Sequence, residues 1–136
     1  MITKIFKRLF LFVAVSIFSF NLHAADWTMA SGYPKSNFHT QNIIKFIDEV
    51  KSTTSVNINL NPNDTLIKID AIKTALQRGQ IPIGEIRLGI YGNEDPMYIF
   101  AGLPFIAPDY SSAWLLKDVQ MEYLQEKFAK KGLMIL

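Results

Sequence analysis

The chain has 136 residues, fourteen of them basic and twelve acidic, and no cysteine. The missing thiols exclude disulfides, a lipid-attachment site and a cysteine nucleophile. The slight basic excess disappears once the N-terminus is set apart, so no basic stripe remains to suggest nucleic acid as a partner.

Lys4, Lys7 and Arg8 precede an apolar run from Leu9 to Phe20, and Asn21 and His23 lead on to the small pair Ala24-Ala25. This order of charge, apolar run and small residues is that of a secretory signal peptide over residues 1–25, cut after Ala24 or Ala25. The alternative is a retained anchor on the inner membrane, for which the run falls short of the roughly 20 apolar residues that span a bilayer. Cleavage leaves eleven basic against twelve acidic side chains, in one small periplasmic domain over residues 26–136 of a Gram-negative cell.

Trp27 to Ser31 predicts a first strand, closed by Gly32-Tyr33-Pro34, after which Ser36 or Asn37 caps a helix. Ile43, Phe46, Ile47 and Val50 recur at the spacing of one helical face. Val56 to Leu60 alternates apolar residues with Asn57 and Asn59, as a half-buried strand does, and Asn61-Pro62-Asn63 turns the chain. A second helix is expected from an Asp64 or Thr65 cap, with Leu66, Ile69, Ile72 and Leu76 on one face. Lys73 and Arg78 would complement its dipole and Gly79 would stop it. Ile81 to Leu88 predicts a third strand.

Strands alternating with helices imply an α/β fold with a mostly parallel sheet flanked by helices, since parallel neighbours need crossover connections. Past Tyr91 the prolines at 96, 104 and 108 predict a loop with one short helix. A long helix then starts at Asp109 to Ser112, carries Trp114, Met121, Leu124 and Phe128 as its apolar stripe, and closes at Lys130-Lys131-Gly132. Leu133 to Leu136 predicts a strand with no turn after it. Two readings of that stop remain open, a truncated domain and a short edge strand that pins the C-terminus.

Signals for catalysis are sparse. His39, near a helix start, reads as a surface or capping residue or as a catalytic group, and Glu94-Asp95 as a solvated turn or as a carboxylate pair. Glu85 follows Gly84 in an otherwise apolar strand. It is either a pocket acceptor beyond the carboxyl end of the sheet or a partner of Arg87 on an exposed edge. The turn Tyr33-Pro34-Lys35-Ser36-Asn37 either presents free helix N–H groups to an anion or is a plain capping turn.

Five blocks in order carry a more specific signal. They are Ala30-Ser31-Gly32-Tyr33-Pro34 with Asn37-Phe38-His39-Thr40; Ile72-Lys73-Thr74-Ala75-Leu76-Gln77 with Gly79-Gln80; Ile83-Gly84-Glu85; Asn93-Glu94-Asp95-Pro96; and Leu103-Pro104-Phe105-Ile106-Ala107. Together the series is similar to the DctP-type solute receptors of tripartite ATP-independent periplasmic (TRAP) transporters, over the N-terminal part of such a receptor. The resemblance implies one lobe of a bilobed periplasmic-binding-protein-like fold, here truncated, that closes around a carboxylate-bearing solute such as a C4-dicarboxylate. It implies delivery to an integral membrane permease, and a binding protein without cofactor or metal rather than an enzyme. The family's ligand-contacting asparagine falls near Asn37 and its pocket glutamate on Glu85. Its carboxylate-clamping arginine belongs to the second lobe, and neither Arg78 nor Arg87 takes its place. One lobe offers half a pocket, so this chain alone is expected to bind an organic anion at millimolar dissociation constants or worse, about 4 kcal/mol or less.

The competing readings are a small periplasmic enzyme using Glu85, His39 and Glu94-Asp95, and a membrane-retained interaction module.

Overall fold

The computed structural model describes residues 25–136. The expected signal peptide therefore lies, but for Ala25, outside the described residues. Strand β1 (Asp26–Ala30) occupies the middle of a parallel sheet of order β2-β1-β3, with β2 (Asn57–Asn61) and β3 (Ile83–Gly84) on either side. The β1–β2 register pairs Trp27 with Ile58 and Met29 with Leu60, which puts the apolar residues of both strands on one face. Helix α1 (Phe38–Thr53) covers that face: Ile43, Phe46, Ile47 and Val50 pack on buried Met29, Ile58 and Ile83. The helical spacing read from the sequence thus becomes one layer of the core.

No glycine ends α1. Ser52 and Thr53 hydroxyls donate to the Glu49 carbonyl and the Thr54 hydroxyl to that of Val50, each at 2.8 Å, satisfying carbonyls that a helix terminus leaves open.

The second face carries Ala30 and is covered by α2 (Ile72–Gln77), through Ile72 and Ala75, and by Ile81 just before β3. This helix is much shorter than expected. Asn63 and Asp64 stand in the left-handed region at φ 59° and 57°, and the Asp64 carboxylate accepts the Ile69 N–H at 2.8 Å. Those bonds close a turn where a helix start was predicted, and Leu66 is left exposed. Gly79, at φ 66°, ends α2 with the paired bonds of a Schellman motif, Gly79 N–H to Leu76 and Gln80 N–H to Ala75. Lys73 does not serve the end of this helix: it lies in the first turn, is buried, and pairs elsewhere.

The third strand is also reduced, to Ile83–Gly84. Pro82 lacks an N–H for the ladder, and β3 has β1 on one side only, so the apolar run from Ile86 leaves the sheet. Three short 3₁₀ turns follow, Leu88–Tyr91, Pro96–Tyr98 and Phe100–Gly102, in place of the single helix expected.

Helix α3 (Tyr110–Ala129) begins at an Asp109 cap whose carboxylate accepts the Ser112 N–H at 2.7 Å. It buries Gln120, Leu124 and Phe128, one face at i, i+4 spacing, against Tyr91 and Tyr98. The predicted stripe is corrected at its start, because Trp114 is 63% exposed and Gln120 is buried in its stead. The Gln120 amide donates to the Met97 carbonyl, which recovers the cost of burying it. Residues 133–136 form no strand; Leu133 and Ile135 pack half-buried on the α3 cluster.

Candidate functional site

The carboxyl ends of β1 and β3 lie side by side, and the polar groups there are interlocked. Ser31 follows β1, is fully buried, and donates its hydroxyl to the Glu85 carboxylate at 2.5 Å. Glu85 follows β3, its N–H bonds the Ala30 carbonyl at 2.9 Å, and its side chain is half-buried. Glu85 was expected either in a pocket or paired with Arg87. No ion pair joins it to Arg87, and its partner is Ser31, 54 residues earlier in the chain. Only one carboxylate oxygen, Oε2, receives that hydroxyl. The other remains able to accept a donor from outside.

Two tight approaches fix the geometry. A Cβ on Gly84 would stand 2.7 Å from Ile72 Cγ2, and one on Gly32 would stand 2.5 Å from the Ile69 side chain. Glycine on either side of the Ser31–Glu85 bond therefore lets the segment after β2 and helix α2 pack directly on the strand ends. The Ser31 backbone is held as well, its N–H to Asn61 at 3.0 Å and its carbonyl by Asp64 N–H at 3.2 Å.

Asn37 is the N-cap of α1, its side-chain oxygen accepting the His39 N–H at 2.9 Å. That bond uses the oxygen and leaves the amide nitrogen for another partner. No hydrogen bond joins Asn37 to Glu85 among the described residues; each has its own partner, His39 N–H for Asn37 and the Ser31 hydroxyl for Glu85. His39 is exposed and lies against the rings of Tyr33, 5.1 Å away, and Phe38, 4.0 Å away.

The Glu94-Asp95 pair is only half solvated, with Glu94 exposed and Asp95 buried. Glu94 bonds the buried amine of Lys73 and, at 3.0 Å, that of Lys131. Asp95 is buried and accepts from Lys127 and the Tyr123 hydroxyl, each at 2.7 Å, and from Met97 N–H at 3.0 Å. The Lys73 and Lys131 hydrogen bonds hold the Glu94 carboxyl below its ordinary range, and those of Lys127 and Tyr123 hold Asp95 down to about 2. Neighbouring acids thus point to different partners and fasten the loop to α2 and to the end of α3. Glu85 thus bonds Ser31, Glu94 bonds Lys73 and Lys131, Asp95 bonds Lys127 and Tyr123, and His39 lies against two aromatic rings.

Comparison with known proteins gives the decisive observation. Neither a family model nor a curated protein matches the chain. Among solved structures, the Bordetella pertussis solute receptor DctP6, described as binding pyroglutamic acid, is 38% identical with a TM-score of 0.79, over 82% of this chain and 38% of its own. Over about four fifths of its length the chain is similar to the DctP-type TRAP solute-binding proteins. DctP7 of the same organism, also described as binding pyroglutamic acid, is 33% identical with a TM-score of 0.76, over 80% of this chain and 37% of its own. A marine-metagenome TRAP solute-binding protein with co-purified pyroglutamate is 30% identical with a TM-score of 0.78, over 83% and 38%. The chain therefore spans somewhat over a third of the length of the DctP-type receptors it matches, and its fold is that of one lobe.

Sequence reasoning missed Ser31 as the partner of Glu85. The available signal was positional: a small polar residue at the end of the central strand and a lone carboxylate at the end of its neighbour.

Proposed function

We propose that this chain supplies one wall of a periplasmic receptor site for a small carboxylate-bearing solute and, with the rest of the receptor, passes that solute to a TRAP permease. The observation that carries this reading is the Ser31–Glu85 bond at the carboxyl ends of adjacent parallel strands, the place where open α/β sheets bind ligands. The similarity to pyroglutamate receptors supports the class of solute. A lactam acid of that kind offers a ring N–H, and the Glu85 oxygen not bonded by Ser31 is an acceptor of the right type for it. A C4-dicarboxylate has no such donor at neutral pH and would set its second charge against Glu85. The lactam is therefore the better fit, and Asn37 contributes its free amide nitrogen from the start of α1.

The signal peptide over residues 1–25 belongs to the same proposal, since a receptor of this kind works outside the inner membrane. No helix among the described residues is long and apolar enough to cross a membrane.

The test replaces the matched segment of B. pertussis DctP6 by residues 26–136 and measures pyroglutamate binding by calorimetry. A charge-assisted hydrogen bond of about 1.5–3 kcal/mol predicts that Glu85→Ala weakens binding by about 10- to 150-fold. Unchanged affinity in that variant, with the fold intact by circular dichroism, refutes the role given to Glu85.

A further inference from the structure

The Ser31–Glu85 bond is the last link of a longer relay. The Ser31 hydroxyl accepts the Tyr33 N–H at 3.3 Å while it donates to Glu85, so its orientation is set from both sides. The Ser31 carbonyl accepts the Asp64 N–H at 3.2 Å, and the Asp64 carboxylate accepts the Ile69 N–H at 2.8 Å. Ile69 also sits so close over Gly32 that a Cβ there would stand 2.5 Å from its side chain. The segment 64–70 is therefore the backing of Ser31, held to it by hydrogen bonds and by a direct contact.

What fixes that backing comes from the α3 cluster. The Ile69 and Asp70 carbonyls precede the bond from Ala75 N–H to Ala71 that opens α2. The Tyr91 hydroxyl donates to the Asp70 carbonyl at 2.8 Å and lies 3.4 Å from that of Ile69. Its ring is buried, packed with Tyr98, Leu124 and Phe128, and the Lys73 ammonium stands 3.9 Å from the ring centre. A ring so enclosed is a fixed post, since packed interiors yield little. Phenylalanine would serve the packing equally well; the hydroxyl serves the turn.

We propose that Tyr91 is a positioning residue for the solute site: its hydroxyl holds the 69–70 turn, the turn holds Asp64, and Asp64 holds Ser31 where it orients the Glu85 carboxylate. Tyr91 acts through this relay and not on the solute. The proposal rests on the receptor reading above, in which the second Glu85 oxygen accepts the ring N–H of a lactam acid. Without the hydroxyl, Ser31 and Glu85 lose their fixed direction, which weakens the bond to that N–H and spares the rest of the solute's contacts.

The experiment compares two solutes in the grafted receptor. Tyr91→Phe should weaken pyroglutamate binding about 3- to 10-fold, a part of the worth of one hydrogen bond. The corresponding lactone acid has a ring oxygen in place of the N–H and no proton for Glu85, so its affinity should change by less than about twofold. In the full chain without solute, the same variant should speed amide exchange at Asp64 and Ile69 by at least about threefold. Tyr123→Phe removes another tyrosine hydrogen bond of this region, the one to Asp95, and should leave both the discrimination and the two amides unchanged. Equal weakening of both acids by Tyr91→Phe overturns the proposal, because a loosened fold does not distinguish them. Unchanged exchange at Asp64 and Ile69 overturns it too, as does the same loss of discrimination in Tyr123→Phe. An unaltered graft that binds the two acids alike refutes the contact given to Glu85 instead, and the exchange rates then decide whether Tyr91 holds Ser31.

Discussion

Lys73 is 2% exposed, with its ammonium bonded to Glu94 and 3.9 Å from the centre of the Tyr91 ring. Lys73→Met keeps most of the stem's packing and deletes the charge. The lost hydrogen bond between charged groups is worth about 1.5–3 kcal/mol and the cation–π contact about 1 kcal/mol. Two terms act against this. Glu94 is 37% exposed and keeps Lys131, so water and the second lysine take over part of its interaction, and the methionine spares the desolvation of a buried ammonium. The net expectation is a loss of about 1–2 kcal/mol, a fall of roughly 5–10 °C in the thermal midpoint of a domain this size. Urea denaturation followed by circular dichroism measures it, with Glu94→Gln completing a double-mutant cycle. The expected coupling is about 1 kcal/mol. Coupling within the additivity limit of about 0.3–0.5 kcal/mol would refute the view that Lys73 and Glu94 stabilise the lobe as a pair.

The same cluster sets the acid limit. Glu94 and Asp95 both have lowered carboxyl ranges, Asp95 to about 2. Depressed acids add stability that is complete above their unfolded values near 4 and is lost as pH falls through the folded ones. The helical signal should therefore weaken between about pH 4 and 2, and Asp95→Asn should flatten that stretch of the stability–pH curve. Asn37→Ala removes the α1 cap and should cost about 1 kcal/mol of stability without solute. A further loss of affinity in the grafted receptor, beyond what Asn37→Ser with its retained cap shows, would assign the amide nitrogen to the solute. Gly84→Ala forces a methyl onto Ile72, which is wholly buried, and should destabilise by about 1–3 kcal/mol in the same urea assay.

What could be read from the chain was whatever local periodicity dictates. The face of α1 and the alternation in β2 were legible because each residue's neighbours in sequence are also its neighbours in the layer. The reading failed where polar side-chain bonds, rather than apolar spacing, decide the backbone or the partner. Asp64 closes a turn on Ile69 and shortens α2, although the apolar spacing through Ile69 and Ile72 is helical. Lys73 was assigned to the helix dipole because a lysine reads as solvated, and its partner Glu94 lies 21 residues away. Glu85 stood out as a lone carboxylate in an apolar run, yet only the sheet brings Ser31 to it. The stretch 133–136 has the composition of a strand, yet it pairs with no strand among the described residues.

Trp27 lines an apolar groove of about 790 Å³ beside β3 at 36% exposure, and the chain's other tryptophan, Trp114, stands 63% exposed on α3. The fold has thereby placed a fluorophore where its spectrum responds to whatever fills the edge of the sheet. With Trp114→Phe silencing the second emitter, a blue shift of the remaining emission would follow the dehydration of that edge in real time, without a label.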